Sequence, residues 1–405
     1  MEKSMTKHNV SIDPALLADL LSSQNGMAQL VEGVLNEILQ TQMSQHLNAA
    51  RYEHSDERIG VRNGNRIRKI HTRIGTLTLQ IPQTRDGSFC SDIFKRYQRN
   101  EQALVLAMME MYVQGVSTRK VSAITEELCG TSFSKSLVSS LCINLDARVR
   151  AFTHRRLEGE YPVLMVDAMY IKARHNDRVA SRAALIMSAI RSDGYREIVG
   201  LEIDNGENLF TWKEAFARLK SRGLTGVQLV VSDAHDGIIE SVKQQFTGAS
   251  WQRCQVHLMR NIAAYAPTKL KTAVMDAVRL VFNASDMTEA RRQLKEFGDT
   301  FAKTAPKSVV CLDEAFDDAM AVIALPVRYR KRLRSTNMQE RLNQEVRRRE
   351  RVIRIFPNDE AAFRLIGAVL ADINEAWMER VYLDMTELYE ARSSEDFLKI
   401  KKASA

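Results

Sequence analysis

Cysteine is scarce in this sequence: the five present, Cys90, Cys129, Cys142, Cys254 and Cys311, are scattered along 405 residues and no two form a CxxC pair. That excludes a disulfide framework and points to a reducing compartment. Long apolar runs are lacking as well. The first 30 residues carry Glu2, Lys3, Lys7, Asp13 and Asp19, so neither a secretory signal nor a membrane span is expected there, and a soluble, cytoplasmic protein is the expectation. Acidic residues are the minority charge. Fifty Asp and Glu stand against 58 Lys and Arg, a net charge of +8 that favours a polyanionic partner, nucleic acid first among them. Apolar residues make up 45% of the chain beside 27% charged, enough for two or three domains with a real core and incompatible with a disordered or collagen-like polymer.

Asp13-Pro14 marks a helix start, with Leu16, Leu17, Leu20 and Leu21 forming an apolar stripe before a stop near residues 22–26. A second helix follows, carrying Met27, Leu30, Val31, Val34, Leu35, Ile38 and Met43 at spacings of three and four. The resulting hairpin buries its stripe either in its own domain or in a dimer seam. Further on, six Lys or Arg fall between residues 58 and 73 with no acid among them, and Leu77, Leu79 and Ile81 alternate up to Pro82. A small basic β element is expected, in which Arg62, Arg66, Arg68 and Lys69 either contact phosphate or form a solvated charged face. Between Ser117 and Leu145 the pattern is helix, glycine turn, helix, with Ser134 capping a second helix that would offer Lys135, Ser136, Ser139 and Ser140 to a DNA groove. Two helices joined by a glycine turn also occur in any α-rich domain.

A polar break at residues 158–162 precedes the most strand-like part of the chain. Val163 to Ile171 reads as a buried strand, Ala183 to Ile190 as a second, and Ser192-Asp193-Gly194 as a hairpin turn into a third, Glu197 to Ile203. A helix then starts at Asn208 or Thr211, with Glu214 completing a capping box and Leu209, Trp212, Phe216 and Leu219 facing inward. Val227 to Ser232 is a fourth strand and Trp251 to Cys254 a fifth. An antiparallel meander continued by a parallel crossover is the order of the ribonuclease H-like α/β fold. After His257 about 70 residues are helical, with amphipathic stretches around 270–281, 290–301 and 312–323, which predicts an all-helical insertion. Two closing helices flank a break at Phe356-Pro357-Asn358.

Asp167 lies inside Val163-Leu164-Met165-Val166-Asp167-Ala168-Met169, where a lone carboxylate is costly unless paired, protonated or bound to metal. Asp233 ends the fourth strand, at the carboxyl end where open α/β sheets place their sites. If that strand neighbours the first, the two acids converge, and two close carboxylates repel unless a cation separates them. Hard oxygen donors select Mg²⁺ or Mn²⁺. Asp236 reads as the N-cap of the following helix. A third acid comes from Glu340 or Glu345, which lie about 140° apart around a helix, so only one can face the pair. Asn337 with Glu340 three residues on also fits a capping box.

The run Ser335-Thr336-Asn337…Glu340-Arg341-Leu342-Asn343…Glu345-Val346-Arg347-Arg348-Arg349…Ile355-Phe356-Pro357-Asn358 resembles the signature of mutator-type bacterial insertion-sequence transposases. The similarity extends over nearly the whole chain, through Arg62-Asn63-Gly64, Arg85-Asp86-Gly87-Ser88-Phe89, Val166-Asp167-Ala168, Ser232-Asp233-Ala234-His235-Asp236-Gly237 and Cys254-Gln255-Val256-His257. What the resemblance implies is a DDE transposase: Asp167, Asp233 and Glu340 as catalytic metal ligands on a ribonuclease H-like core, interrupted by a helical insertion between the second and third acids. Cys254 and His257 match the family's CxxH signature. Two ligands do not make a zinc site, and no second Cys or His pair lies at finger spacing. His257 is therefore expected to position the Asp233 loop or a DNA phosphate, with Cys254 buried beside the sheet and His235 either at the scissile phosphate or capping a helix.

The segment from Arg328 to Arg354 holds eleven Lys or Arg against three Glu, an excess as large as the whole chain's +8. Concentrated positive charge beside a candidate metal ligand suits phosphodiester chemistry, so Arg341, Arg347, Arg348, Arg349 and Arg351 join the expected DNA contacts. The chain is thus expected to divide into an N-terminal helical hairpin (1–50), a small basic β element (51–100), a helix-turn-helix-like region (101–158), the first part of the core (159–257), the helical insertion (258–330), the final core helices (331–392) and a tail (393–405). The expected protein binds the terminal inverted repeats of its own element and target DNA as a homodimer in the bacterial cytoplasm, and cuts and joins strands with Mg²⁺ or Mn²⁺. The alternatives are a structure-specific nuclease that cuts without joining, and a non-catalytic DNA-binding repressor.

Overall fold

The computed structural model describes residues 26–91, 93, 101–129, 133–134, 137–138, 145–176 and 178–388. It separates into two compact units, 1–144 and 145–405. In the first, helix α1 (Gly26–Leu47) packs on an antiparallel hairpin, β1 (Arg62–Thr72) and β2 (Gly75–Thr84). Ala28 and Leu39 close on Ile70, Leu77 and Leu79, with Val31, Leu35 and Ile81 around them. Of the expected α1 stripe, Met43 is buried and Val31 and Leu35 pack on this core, while Leu30, Val34 and Ile38 are half-buried and Met27 is exposed. Polar residues of α1 also satisfy the free edge of β2, where Glu32 accepts from the Thr78 amide at 2.7 Å and Asn36 from the Gln80 amide at 2.8 Å. The helix expected at 14–21 lies outside the described residues.

Helices α2 (Gln102–Val113) and α3 (Thr118–Cys129) bury Leu104, Val105, Met108 and Val121 together with Phe133 and Val138. The Ser134 hydroxyl accepts from the Leu137 amide at 3.1 Å, the cap expected there. Most of the second helix of the predicted helix-turn-helix, including Lys135 and Ser139, lies outside the described residues.

The second unit opens with α4 (Leu145–Thr153), ahead of the break expected at 158–162. Its Asp146 holds Arg364, and its Arg148 reaches Asp372 and Glu375. Five strands follow: β3 (Val163–His175), β4 (Arg178–Ile190), β5 (Arg196–Asp204), β6 (Leu229–Ser232) and β7 (Ser250–Arg253), in the order β5-β4-β3-β6-β7. The first three form an antiparallel meander, and β6 and β7 join in parallel. Between them run α5 (Leu209–Ser221) and α6 (Asp236–Gln245). This is a mixed α/β unit built around a mixed sheet.

Alternation along β3 sorts the sheet's faces. Leu164, Val166 and Ala168 join Trp212 and Phe216 of α5 and Ile238 of α6 in one core. Residues 165, 167 and 169 point to the other face, covered by α12 (Asn337–Ile353) and α13 (Asp359–Met378). Trp212, Phe216 and Leu219 face inward as the pattern predicted, whereas Leu209 is half exposed. The α5 cap is Asn208, exchanging hydrogen bonds with Thr211. Glu214, expected in that box, lies a turn further on and pairs with Arg218.

Helices α7 (Gln255–Tyr265), α8 (Lys271–Phe282), α9 (Met287–Phe301) and α10 (Pro306–Met320) form the insertion, with a core of their own around Leu258, Val274, Val278, Phe297, Leu312 and Phe316. A short 3₁₀ turn and α11 (Val327–Leu333) lead back to α12. Among the described residues no helix is long and apolar enough to cross a membrane.

Candidate active site

The parallel pairing of β3 with β6 aligns Val163 with Leu229, Leu164 with Val230 and Met165 with Val231. Carried two residues further, the same register sets Asp167 opposite Asp233. Asp167 shows the consequence: burial and the neighbouring Asp233 charge push its carboxyl up to about 7. Its Oδ1 accepts from the Ala168 amide at 3.0 Å, and its Oδ2 from Asn343 Nδ2 on α12 at 2.7 Å. Asp233 Oδ1 is buried and makes no hydrogen bond, and Asn343 Oδ1 shares that condition.

Helix α12 is fixed over this pair by its first two turns. Gln339, fully buried, accepts from Ser188 Oγ at 2.6 Å and donates to the Ile186 carbonyl at 3.1 Å, both on β4. Ile186 is the cross-strand partner of Asp167, so the next inward residue along the helix, Asn343, meets that aspartate. The helix begins one residue earlier than the sequence suggested. Thr336 is its N-cap, and the Thr336 amide and hydroxyl both reach Cys254 Sγ, at 3.3 and 3.2 Å. Because Asn337 is already the first helical residue, the capping box expected of Asn337 and Glu340 does not form.

Glu340 turns instead toward α7. Its Oε1 lies 2.8 Å from Arg260 Nη1 and 3.4 Å from His257 Nε2, and its Oε2 lies 3.3 Å from Arg260 Nη2. His257 is raised to about 8, first by the adjacent Cys254 sulfur and then by the charges of Asp167 and Glu340, against its burial. Its buried Nδ1 nevertheless meets no acceptor at full hydrogen-bond geometry. Cys254 ends fully buried at the start of α7, and its thiol is lowered overall: burial raises it, and the neighbouring His257 with the hydrogen bonds from Thr336 outweighs that. Glu345 faces away. It is exposed, lies 2.7 Å from Arg349 and 3.5 Å from Arg348, and Arg349 holds its carboxyl below the usual range.

Two further residues approach the pair. Glu207, in the turn before α5, accepts from Trp212 Nε1 at 3.1 Å and lies 3.7 Å from His235 Nδ1. Burial raises its carboxyl, with Asp233 adding and His235 opposing. His235 caps α6 by accepting from the Gly237 amide at 3.2 Å. Asp236, expected in that role, stands exposed in the first turn, because the helix starts one residue sooner. Gly237 permits the close approach of the two loops, since a Cβ there would lie 2.6 Å from the Asn208 carbonyl carbon.

The basic residues divide. Arg341, Arg347, Arg348 and Arg351 are exposed on α12, as are Arg66 and Lys69 on β1, while Arg62 and Arg68 are half-buried. Arg349 is buried and donates to Glu345 Oε2 and to its carbonyl, so its charge is turned inward. The earlier part of the basic block is structural: Arg330 holds the Leu325 and Ser285 carbonyls, Arg334 holds Asn283, and Arg328 pairs with Asp384 and Glu387. Sequence reasoning missed Arg260 and Glu207. Asn343 was visible within the Glu340 run but carried no charge to draw attention to it.

Asp167 within β3 and Asp233 just past β6 thus lie as neighbours on the face that α12 covers, beyond the helical insertion. The chain is a member of the mutator family of transposases, whose sequence model matches residues 5–380. It is 47% identical over 348 residues to the transposase for insertion sequence element IS256 in transposon Tn4001 of Staphylococcus aureus, covering 85% of this chain and 89% of that one. The transposase for insertion sequence element ISRM5 of Rhizobium meliloti is 41% identical over 388 residues, 95% of this chain and 98% of its own. Among solved structures, the Drosophila P element transposase strand transfer complex matches 76% of this chain and 87% of its own at 10% identity, with a TM-score of 0.31.

Proposed function

We propose that this chain is a DDE transposase on a ribonuclease H-like core, cutting at the terminal inverted repeats of an insertion sequence and joining the ends to target DNA. The observation that carries the reading is Asp167 set beside Asp233, with α12 clamped over both so that Asn343 holds one and Glu340 stands nearby. Among the described residues no three or more His, Cys, Asp or Glu lie close enough to hold a metal ion. The two aspartates nonetheless suit a hard divalent cation, being adjacent and buried with an unpartnered Asp233 oxygen. They would hold Mg²⁺ or Mn²⁺, with Glu340 added once it leaves Arg260. The metal, when bound, supplies activation of water or a 3′-hydroxyl and neutralises the leaving oxygen.

The chain's own residues do the rest. Asn343 orients the Asp167 carboxylate, leaving its other oxygen toward Asp233. His257 and Arg260 hold the Glu340 side chain at the start of α12. Exposed Arg341, Arg347, Arg348 and Arg351 supply phosphate contacts along the same helix. The basic hairpin and the region of 101–144 hold the terminal repeat, and two copies bring two DNA ends together.

The test is joining of a pre-cleaved 3′ terminal end to a plasmid target in Mg²⁺ or Mn²⁺. Joined product is expected. Cleavage without joining would replace the reading by a nuclease, and binding without either would replace it by a repressor.

A further inference from the structure

In the first unit a cavity of about 300 Å³ opens between α1, the loop 51–58 and the start of β1. Arg51, Arg58 and Arg62 line it with Tyr52 and His54. Among the described residues no carboxylate pairs with any of the three. Arg62 spends Nη1 on Gln40 Oε1 at 3.3 Å and Nη2 on Ser44 Oγ at 2.8 Å, both uncharged, and its Nε is buried without a partner. Arg58 donates to two backbone carbonyls, Gly60 at 2.8 Å and Glu53 at 3.1 Å. Arg51 lies over the Tyr52 ring, 5.2 Å from its centroid. The loop's Glu53 is occupied with the Ala50 amide.

Three guanidiniums gathered without a counter-charge repel one another, and arginine cannot relieve that by losing its proton. Burial lowers Arg62, and Arg58 and Arg51 lower it further. Such an arrangement is stable in use only when an anion completes it, and guanidinium forks match phosphate oxygens. The mouth is open: the pairing of β1 with β2 shifts between Arg62 and Asn65, and Gly64 at φ +71° has nothing within 4 Å of where a Cβ would stand.

We infer that Arg51, Arg58 and Arg62 form a phosphate pocket that grips one backbone phosphate of duplex DNA. The duplex as source of that phosphate rests on the transposase reading above, and exposed Arg66 on the same strand extends the charge beyond the mouth, as suits a polymer. A pocket that holds one phosphate reads no base. It sets the register of the hairpin on DNA.

The test uses the full chain and fluorescence anisotropy with two 30-base-pair duplexes, one terminal and one unrelated, titrated in salt. Arg51→Gln and Arg58→Gln are each expected to weaken both duplexes about three- to tenfold and to lower the salt slope by about 1. Wild-type affinity and slope in both variants would overturn the pocket. Arg58 also ties its own loop, so if Arg58→Gln melts early, Arg51→Gln alone decides. A parallel arm follows the melting temperature in inorganic phosphate. A phosphate-induced rise that both variants lose while DNA slopes stay unchanged would overturn the duplex as ligand in favour of a free anion. A wild-type chain that binds neither duplex would sink the transposase reading instead, and the phosphate arm would then decide the pocket alone.

Discussion

Arg260 and Glu340, 80 residues apart in sequence, meet with Nη1 2.8 Å from Oε1 and Nη2 3.3 Å from Oε2. The helical insertion thereby reaches, through its first helix, a carboxylate that lies beyond it in the chain. The insertion is thus more than a spacer: its first helix supplies the ion-pair partner of Glu340.

Releasing that hold should change the metal requirement. Arg260→Gln is expected to lower the Mn²⁺ concentration for half-maximal cleavage by roughly threefold to tenfold, since freeing a paired carboxylate is worth about 1 kcal/mol at a partly exposed site. A metal titration of cleavage rate checks this. An unchanged midpoint would mean that the pair does not compete with the metal.

The assignment of the three acids makes a sharper prediction. Asp167→Asn, Asp233→Asn and Glu340→Gln should each reduce cleavage and joining to background, while Glu345→Gln keeps activity within about threefold, because Glu345 is itself exposed and pairs only with Arg348 and Arg349 of its own helix. Asn343→Ala should fall between, costing about 10- to 100-fold as residues that orient metal ligands do. Loss in Glu345→Gln with activity retained in Glu340→Gln would move the third ligand.

The raised Asp167 carboxyl ties stability to pH. Its folded value near 7 lies above the usual 3.8, so the folded state holds the extra proton between those values and the group's contribution to stability declines as pH rises from about 4 to 7. Above pH 7 the full penalty applies, at about 1.4 kcal/mol per unit, so roughly 4 kcal/mol. Asp167→Asn is therefore expected to raise the melting temperature by several degrees at pH 8 and by little at pH 4. Mg²⁺ should give the wild type a similar gain at pH 8 that the variant lacks. Equal melting temperatures at pH 8 would remove the repulsion from the account.

Gly237 is the narrowest passage near the site. Ala there would drive a Cβ to 2.6 Å from the Asn208 carbonyl carbon and 2.7 Å from the Leu209 nitrogen, both backbone atoms. Overpacking of this kind costs about 1–3 kcal/mol. Gly237→Ala should melt a few degrees lower and, by displacing the loop that carries Asp233 and His235, lose activity at temperatures where it remains folded. Differential scanning fluorimetry alongside the cleavage assay separates the two effects.

Much of this site is legible in the residues themselves. An acid within Val163 to Met169 has too few neighbours of its own kind to be ordinary, and Asp233 closes an apolar run at a strand end. Periodicity placed the insertion's helices, and the order of strands and helix implied that the first and fourth strands would neighbour. Single positions at helix starts were less secure. Thr336 and His235, not Asn337 and Asp236, became the caps, because a cap is chosen by what its side chain meets in space.

The sequence by itself determined the strands, the long helices, the excess of positive charge and the positions of the acids, since these follow from local periodicity and composition. Only tertiary structure decided which arginines are occupied with carbonyls, that Glu340 turns to Arg260 and His257 while Glu345 pairs with Arg348 and Arg349, and that Asn343 meets Asp167. Those outcomes depend on how helices dock across a sheet, where a shift of one residue rotates a side chain by about 100°, and no local pattern records that docking.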